Sequence, residues 1–267
     1  CGVAIAIFDQ IRGGEGWVPS VEWIPALVVY LLASYLAVAV GDLPSRRKLL
    51  GETWGVGGYL EFSFRVVVGL FGFWLVVLLA PFIVHQAVNF RWAAGCILLL
   101  LLVAWSRNYA YIAVTALRSV PIASEELLNR FDRVMDRSDA QHPEILKCGP
   151  NDGGWSNAIA FASLTLQPKV LFSAPLLEIL NVEETAAIFA HEAAHLEDFD
   201  VPFLKRARLI EWSIAGVGCL SVPVLETLLP GAADWILWAW IPLIFGLLIL
   251  RMRDMQKRET QSDLRAV

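Results

Sequence analysis

The chain has 267 residues, 57% of them hydrophobic and 18% charged, with 11 tryptophans, a mean hydropathy of +0.58 and a formal charge of −5. That is too apolar for an ordinary soluble domain and indicates a multi-span α-helical membrane protein with the lipid bilayer as a partner. No basic face with interleaved aromatics is present, which argues against nucleic-acid binding.

Residues 1–20 join CGVAIAIF, readable as the tail of an earlier span, to the glycine-rich IRGGEGWVPS. Starting at Cys1 and stopping at Val267 in what reads as mid-helix, the chain is expected to be a fragment. An N-terminal membrane region is expected over 1–120, with about three spans near 21–40, 64–84 and 92–117. The last reads as one long helix from Trp92 to Leu117 with Arg107 near the interface. Cys1, Cys96, Cys148 and Cys219 have no CxxC spacing and read as inert thiols.

A cytoplasmic segment of soluble composition is expected over 121–208. Ser124 caps a helix whose apolar stripe is Leu127, Leu128, Phe131, Val134 and Met135. The stretches SNAIAFASLTL and KVLFSA read as two strands parted by Gln167-Pro168, and Pro175 to Leu180 as a brief helix. The loop from Gln141 to Trp155 reads as a lid or a plain connection.

The helix at 182–200 holds His191-Glu192-Ala193-Ala194-His195. Residues four apart share a helix face, so both imidazoles can serve one tetrahedral Zn²⁺, with Glu192 beside the first ligand to act as the base. Asn181 and Glu184 form a capping-box-like pair at its start. Two further spans are expected within 209–250, joined at Pro230-Gly231, and then a C-terminal cytoplasmic helix over 251–267.

Catalytic zinc needs a third protein ligand. Val201 stands where an extended HExxHxxGxxH pattern would place its last histidine. His142 lies in an irregular polar stretch, His85 falls on the opposite side, Glu226 sits at the wrong end of a span, and Glu197 and Glu211 remain available. Glu259 is the strongest candidate, because two spans separate it from His195 and return it to the same side. Asp263 follows one turn later on the same face, where a carboxylate can bond a ligand or a developing oxyanion. An ordinary solvated tail is the competing reading of RETQSDLRA. Basic clusters beside the spans, Arg46-Arg47-Lys48 first among them, put the metal helix and the tail in the cytoplasm.

HEAAH followed by Asp200, with SNAIAF and KVLFSAPLLEILNVEETAAIFA before it and Arg258 to Asp263 after further spans, resembles peptidase family M48, whose members are membrane-embedded zinc metalloproteases. The resemblance runs from about Asn151 to Asp200 and resumes at Arg258. It implies a zincin-like (gluzincin) α+β domain, one Zn²⁺ per chain held by His191, His195 and Glu259, and Glu192 and Asp263 as the catalytic acids. It further implies that Asn157, Ala158, Ile159, Ala160 and Phe161 form a strand lining the cleft, along which an extended protein or peptide substrate pairs. Ile159 replaces the family's usual aromatic, and Ser262 its common alanine. The implied activity is peptide hydrolysis at the membrane of a bacterial cell, with membrane-protein quality control as one role. A regulated sensor-transducer membrane protease and a non-catalytic zinc-binding membrane scaffold are the alternatives. The oligomeric state is left open.

Overall fold

A computed structural model describes residues 23–50, 53–149, 156–229 and 233–265. The expectations for residues 1–22, for positions 150–155 of the 141–155 loop and for the Pro230-Gly231 turn lie outside the described residues. In chain order the helices are α1 (Trp23–Leu50), α2 (Val56–Val66), α3 (Gly72–Gln86), α4 (Arg91–Arg107), α5 (Tyr109–Ala116), α6 (Glu125–Met135), α7 (Ala174–Ile179), α8 (Val182–Asp198), α9 (Val201–Leu228) and α10 (Ala233–Arg265). The strands are β1 (Val120–Pro121), β2 (Glu144–Cys148), β3 (Ala158–Phe161) and β4 (Lys169–Ser173).

Among the described residues, four helical stretches are long and apolar enough to cross a membrane: Val56–Gln86, Val88–Arg107, Val201–Leu228 and Ile236–Arg253. They pack around Phe73, Val77, Leu102, Val222, Leu237 and Ile244. Prolines inside these helices are answered by neighbours. Pro81 has no N–H to give the Val77 carbonyl four residues back, and Trp240 Nε1 donates there at 3.3 Å and to Leu78 at 3.1 Å. Pro223 likewise strips the Cys219 carbonyl of its donor, and Gly95 lies so close that a Cβ would sit 2.5 Å from that oxygen. Small residues at such crossings let backbones approach in an apolar medium.

Between α2 and α3 runs a π-helical turn, Val67–Phe71, and Tyr109 donates its hydroxyl proton to the Leu70 carbonyl at 3.0 Å. The single helix expected from Trp92 to Leu117 is broken at Asn108, where the backbone turns to φ −104, ψ 18 and the side-chain amide bonds the Ala104 carbonyl. An asparagine that bonds its own helix competes with the i−4 ladder, and the chain redirects there.

The sheet has order β1-β2-β4-β3, with β2 and β4 parallel and the other pairs antiparallel. Its central strand β4 is buried on both faces. Val170 and Phe172 meet Phe131 and Phe189, while Leu171 faces Ala110, Ala113 and Val114. The sheet is therefore clamped between α6 and α8 on one side and the helical bundle on the other. Ser124 caps α6, and the stripe read from the sequence points inward, with Phe131 fully buried. Strand β3 is shorter than SNAIAFASLTL suggested, because Ser163 Oγ accepts from the Thr165 and Leu166 amides and folds that stretch into a turn. Strand β2 emerges from a stretch that reads as irregular. Leu146 and Cys148 face inward, but five residues give too short an alternation to stand out.

Candidate metal centre

Helix α8 begins with a complete capping box: Asn181 accepts from the Glu184 amide, and the Glu184 carboxylate from the Asn181 amide. It ends at Asp198, two residues short of expectation, because Asp200 caps α9 by accepting from the Phe203 amide at 2.8 Å. Phe189 anchors α8, its ring 4.4 Å from that of Phe131. The face bearing His191 and His195 is turned by this packing toward α10, which lies against α8.

There the two imidazoles meet at right angles with their Nε2 atoms 3.1 Å apart. Glu259 Oε2, from α10, is 3.4 Å from each of them. These three form a cluster of metal-ligating side chains among the described residues. Donors held at about 2.0–2.1 Å from a tetrahedral Zn²⁺ lie about 3.3 Å from one another. Edges of 3.1, 3.4 and 3.4 Å thus match one face of such a tetrahedron. Two neutral imidazoles and one carboxylate are also a donor set that zinc favours. Burial lowers the His195 pKa, which keeps its ring in the neutral form a metal needs.

Glu192 is 7% exposed, and burial pushes its pKa up to about 6, against the opposing charge of His191. Its carboxylate accepts a hydrogen bond from the Ala160 amide. That contact locates the cleft. The Ser173 amide donates to the Asn157 carbonyl at 2.9 Å, so in this antiparallel pair Ala158 and Ala160 turn their amides away from β4. As β3 is the edge of the sheet among the described residues, its outward polar edge lies beside Glu192. Asn157 itself precedes the strand, and its amide bonds Ser173 Oγ.

The other acids and histidines weighed as third ligands are engaged elsewhere. Glu197 accepts from Ser138 Oγ and the Asp139 amide, Glu226 pairs with Arg91 at 3.1 Å, and His142 lies 4.0 Å from Asp132. Glu211 is buried in a polar cluster with Ser106, Arg208 and Arg251. Asp263 lies one turn beyond Glu259 on α10, and its side chain is outside the described residues. Sequence reasoning missed the Ala160 amide, since a backbone donor carries no residue signature.

Residues 121–267 match the description Peptidase family M48. Over 96 residues the chain is 35% identical to a protein named protease HtpX homolog 1 from Sulfolobus acidocaldarius, a stretch covering 36% of this chain and 30% of that relative. The family match takes in β2, β3, β4, both histidines and Glu259, and covers more than half of the sequence: the chain belongs to peptidase family M48.

Proposed function

We propose that the chain is an integral-membrane zinc metalloendopeptidase acting from the cytoplasmic side. The observation that carries this reading is the triangle of His191, His195 and Glu259 lying next to a buried carboxylate, Glu192, at the outward edge of β3. His191 Nε2, His195 Nε2 and Glu259 Oε2 would hold one Zn²⁺. When bound there, the ion supplies a Lewis acid that acidifies water and polarises a carbonyl.

The remaining chemistry belongs to the chain. Glu192 is ionised at neutral pH and takes a proton from water at a carboxylate oxygen, then returns it to the departing amine. The Ala160 amide orients that carboxylate, and the seclusion of Glu192 holds its pKa close to the working range. The outward Ala158 amide and the outward carbonyls of Ala158 and Ala160 can pair with an extended polypeptide, which gives a protein or peptide substrate a register independent of its side chains. Asp263 is assigned as the partner acid.

Orientation follows from chain arithmetic. The four apolar helices make two hairpins, so residues 108–200 and those beyond Arg253 share one end. Lys205, Arg206, Arg208, Arg251 and Arg253 cluster there, with Arg91 at the other end. Positive charge gathers on the cytoplasmic side. Membrane-protein quality control suits such a site, where an unfolded segment would be met at the bilayer surface.

The test compares detergent-purified chain with its Glu192→Gln variant for zinc content and cleavage of casein. Stoichiometric zinc in both, with turnover reduced by at least about 100-fold in the variant, is expected. Normal cleavage by the variant would refute the assigned base.

A further inference from the structure

Glu259 reaches the histidines from far along a helix anchored elsewhere. Helix α10 runs unbroken for 33 residues. Slipping it by one residue would carry Glu259 about 1.5 Å along and about 100° around the axis, enough to take its oxygen out of the triangle. Trp240 ties α10 to α3 through the Val77 and Leu78 carbonyls, yet Pro242 lies between that tie and Glu259. A proline removes one helical hydrogen bond and lets the segment beyond it swing. An anchor beyond Pro242 is therefore needed, and Arg251 supplies one.

Arg251 Nη1 donates to Glu211 Oε1 at 3.1 Å, and its guanidinium lies 5.1 Å from the centre of the Trp74 ring. The other Glu211 oxygen accepts from Arg208 Nη1 at 2.8 Å and from Ser106 Oγ at 3.0 Å. Arg208 Nη1 also donates to Ser106 Oγ. One carboxylate, 7% exposed, thus joins α4, α9 and α10 at a single level, and Trp74 adds α3. Arg251 stands eight residues before Glu259, about 12 Å along the same helix. One turn past Ser106, Tyr109 packs on Phe161 of β3 with ring centres 6.0 Å apart. The level at which α10 is fastened is also the level at which the cleft strand rests on the bundle.

We propose that Glu211 is a positioning residue for the metal centre. Through Arg251 it sets the depth and rotation of α10 at which Glu259 closes the triangle with His191 and His195. This inference rests on reading that triangle as a metal site. Charge makes the arrangement decisive: two guanidinium groups share one buried carboxylate, and neutralising it turns the α9–α10 contact from attraction to repulsion.

The test is Co²⁺ titration, followed by visible absorbance, of the whole chain in detergent and of six variants. Arg251→Met and Glu211→Gln are expected to weaken Co²⁺ affinity by about 10-fold to 100-fold, the range for groups that orient metal ligands. Arg251→Lys is expected to recover part of the loss. Glu226→Gln breaks the Arg91 pair at the opposite end of α9 and should leave affinity unchanged. The double Glu211→Gln, Arg251→Met chain should be no weaker than the worse single variant, because both act through one contact. Arg251→Met decides the matter, since its arm is half exposed and its loss strands no buried anion without Arg208. Affinity in Arg251→Met equal to that of the parent would overturn the positioning role. No Co²⁺ binding by the parent, or equal binding by Glu259→Gln, would instead overturn the metal site on which it rests.

Discussion

His191 and His195 stand on a 17-residue helix capped at Asn181 and packed through Phe189, whereas Glu259 stands on a 33-residue helix that rises out of the apolar bundle. The first pair is arranged by local rules: helical spacing, a capping box and one aromatic layer. The third donor is arranged by global ones, since its place depends on how α10 sits against α3, α8 and α9. The cluster thus spans the boundary between the mixed sheet with its helices and the helical bundle. If it holds the proposed metal, affinity would report on bundle packing, while integrity of the histidine pair would report on the sheet and α6.

The sharpest break of this comparison is to remove donors one from each side. His195→Ala and Glu259→Gln should both abolish stoichiometric zinc, measured by metal analysis after dialysis, although far-UV circular dichroism stays unchanged. Retention of zinc by either variant would show that the centre is not shared.

Next in size is Phe131→Ala. Emptying a fully buried aromatic site costs about 3–5 kcal/mol. The loss should appear as early hydrogen exchange in α6, α8 and β4, with the bundle helices still protected. Simultaneous exchange of both regions would mean that they fold as one unit.

Ala160→Pro removes the amide that meets Glu192 while leaving the β3 to β4 ladder intact, because that amide faces away from β4. Activity should fall about tenfold or more. The acidic limb of the pH profile should also move upward, since the amide bond favours the ionised carboxylate. In the parent chain, Glu192 is protonated as pH falls through about 6, so kcat/KM declines below that value and not above it. Bound zinc can only shift the limb lower, as a nearby cation favours the carboxylate. A limb well above pH 6 would assign the base elsewhere.

The smallest effect belongs to the cap. Asn181→Ala should cost about 1 kcal/mol of stability in the sheet domain, read from a urea melt, with zinc affinity nearly unchanged. Weakened zinc binding in that variant would mean that the start of α8, and not only its packing, holds the histidines.

Much of the site is local enough to be read from one dimension. HEAAH places two histidines on one helix face, with a glutamate beside the first, through helical periodicity alone. The Ser124 and Asn181 caps, the stripe on α6 and the apolar runs likewise follow from nearest-neighbour spacing. Strand β2 and the end of β3 escape such reading. The first is rescued by pairing with β1 and β4, the second is cut off by the Ser163 turn, and both outcomes depend on partners distant in sequence or on a single hydroxyl.

By itself, then, the sequence determined the family, the histidine pair, Glu192 and the apolar character of the bundle, because each rests on residue type and short-range period. Tertiary structure decided the rest. It turns Glu259 onto the histidines, sends the Ala160 amide to Glu192, and gathers Ser106, Arg208, Glu211 and Arg251 into one cluster. Residues thirty or more positions apart meet only when helices fix their mutual depth and rotation, and no local pattern along the chain encodes that distance.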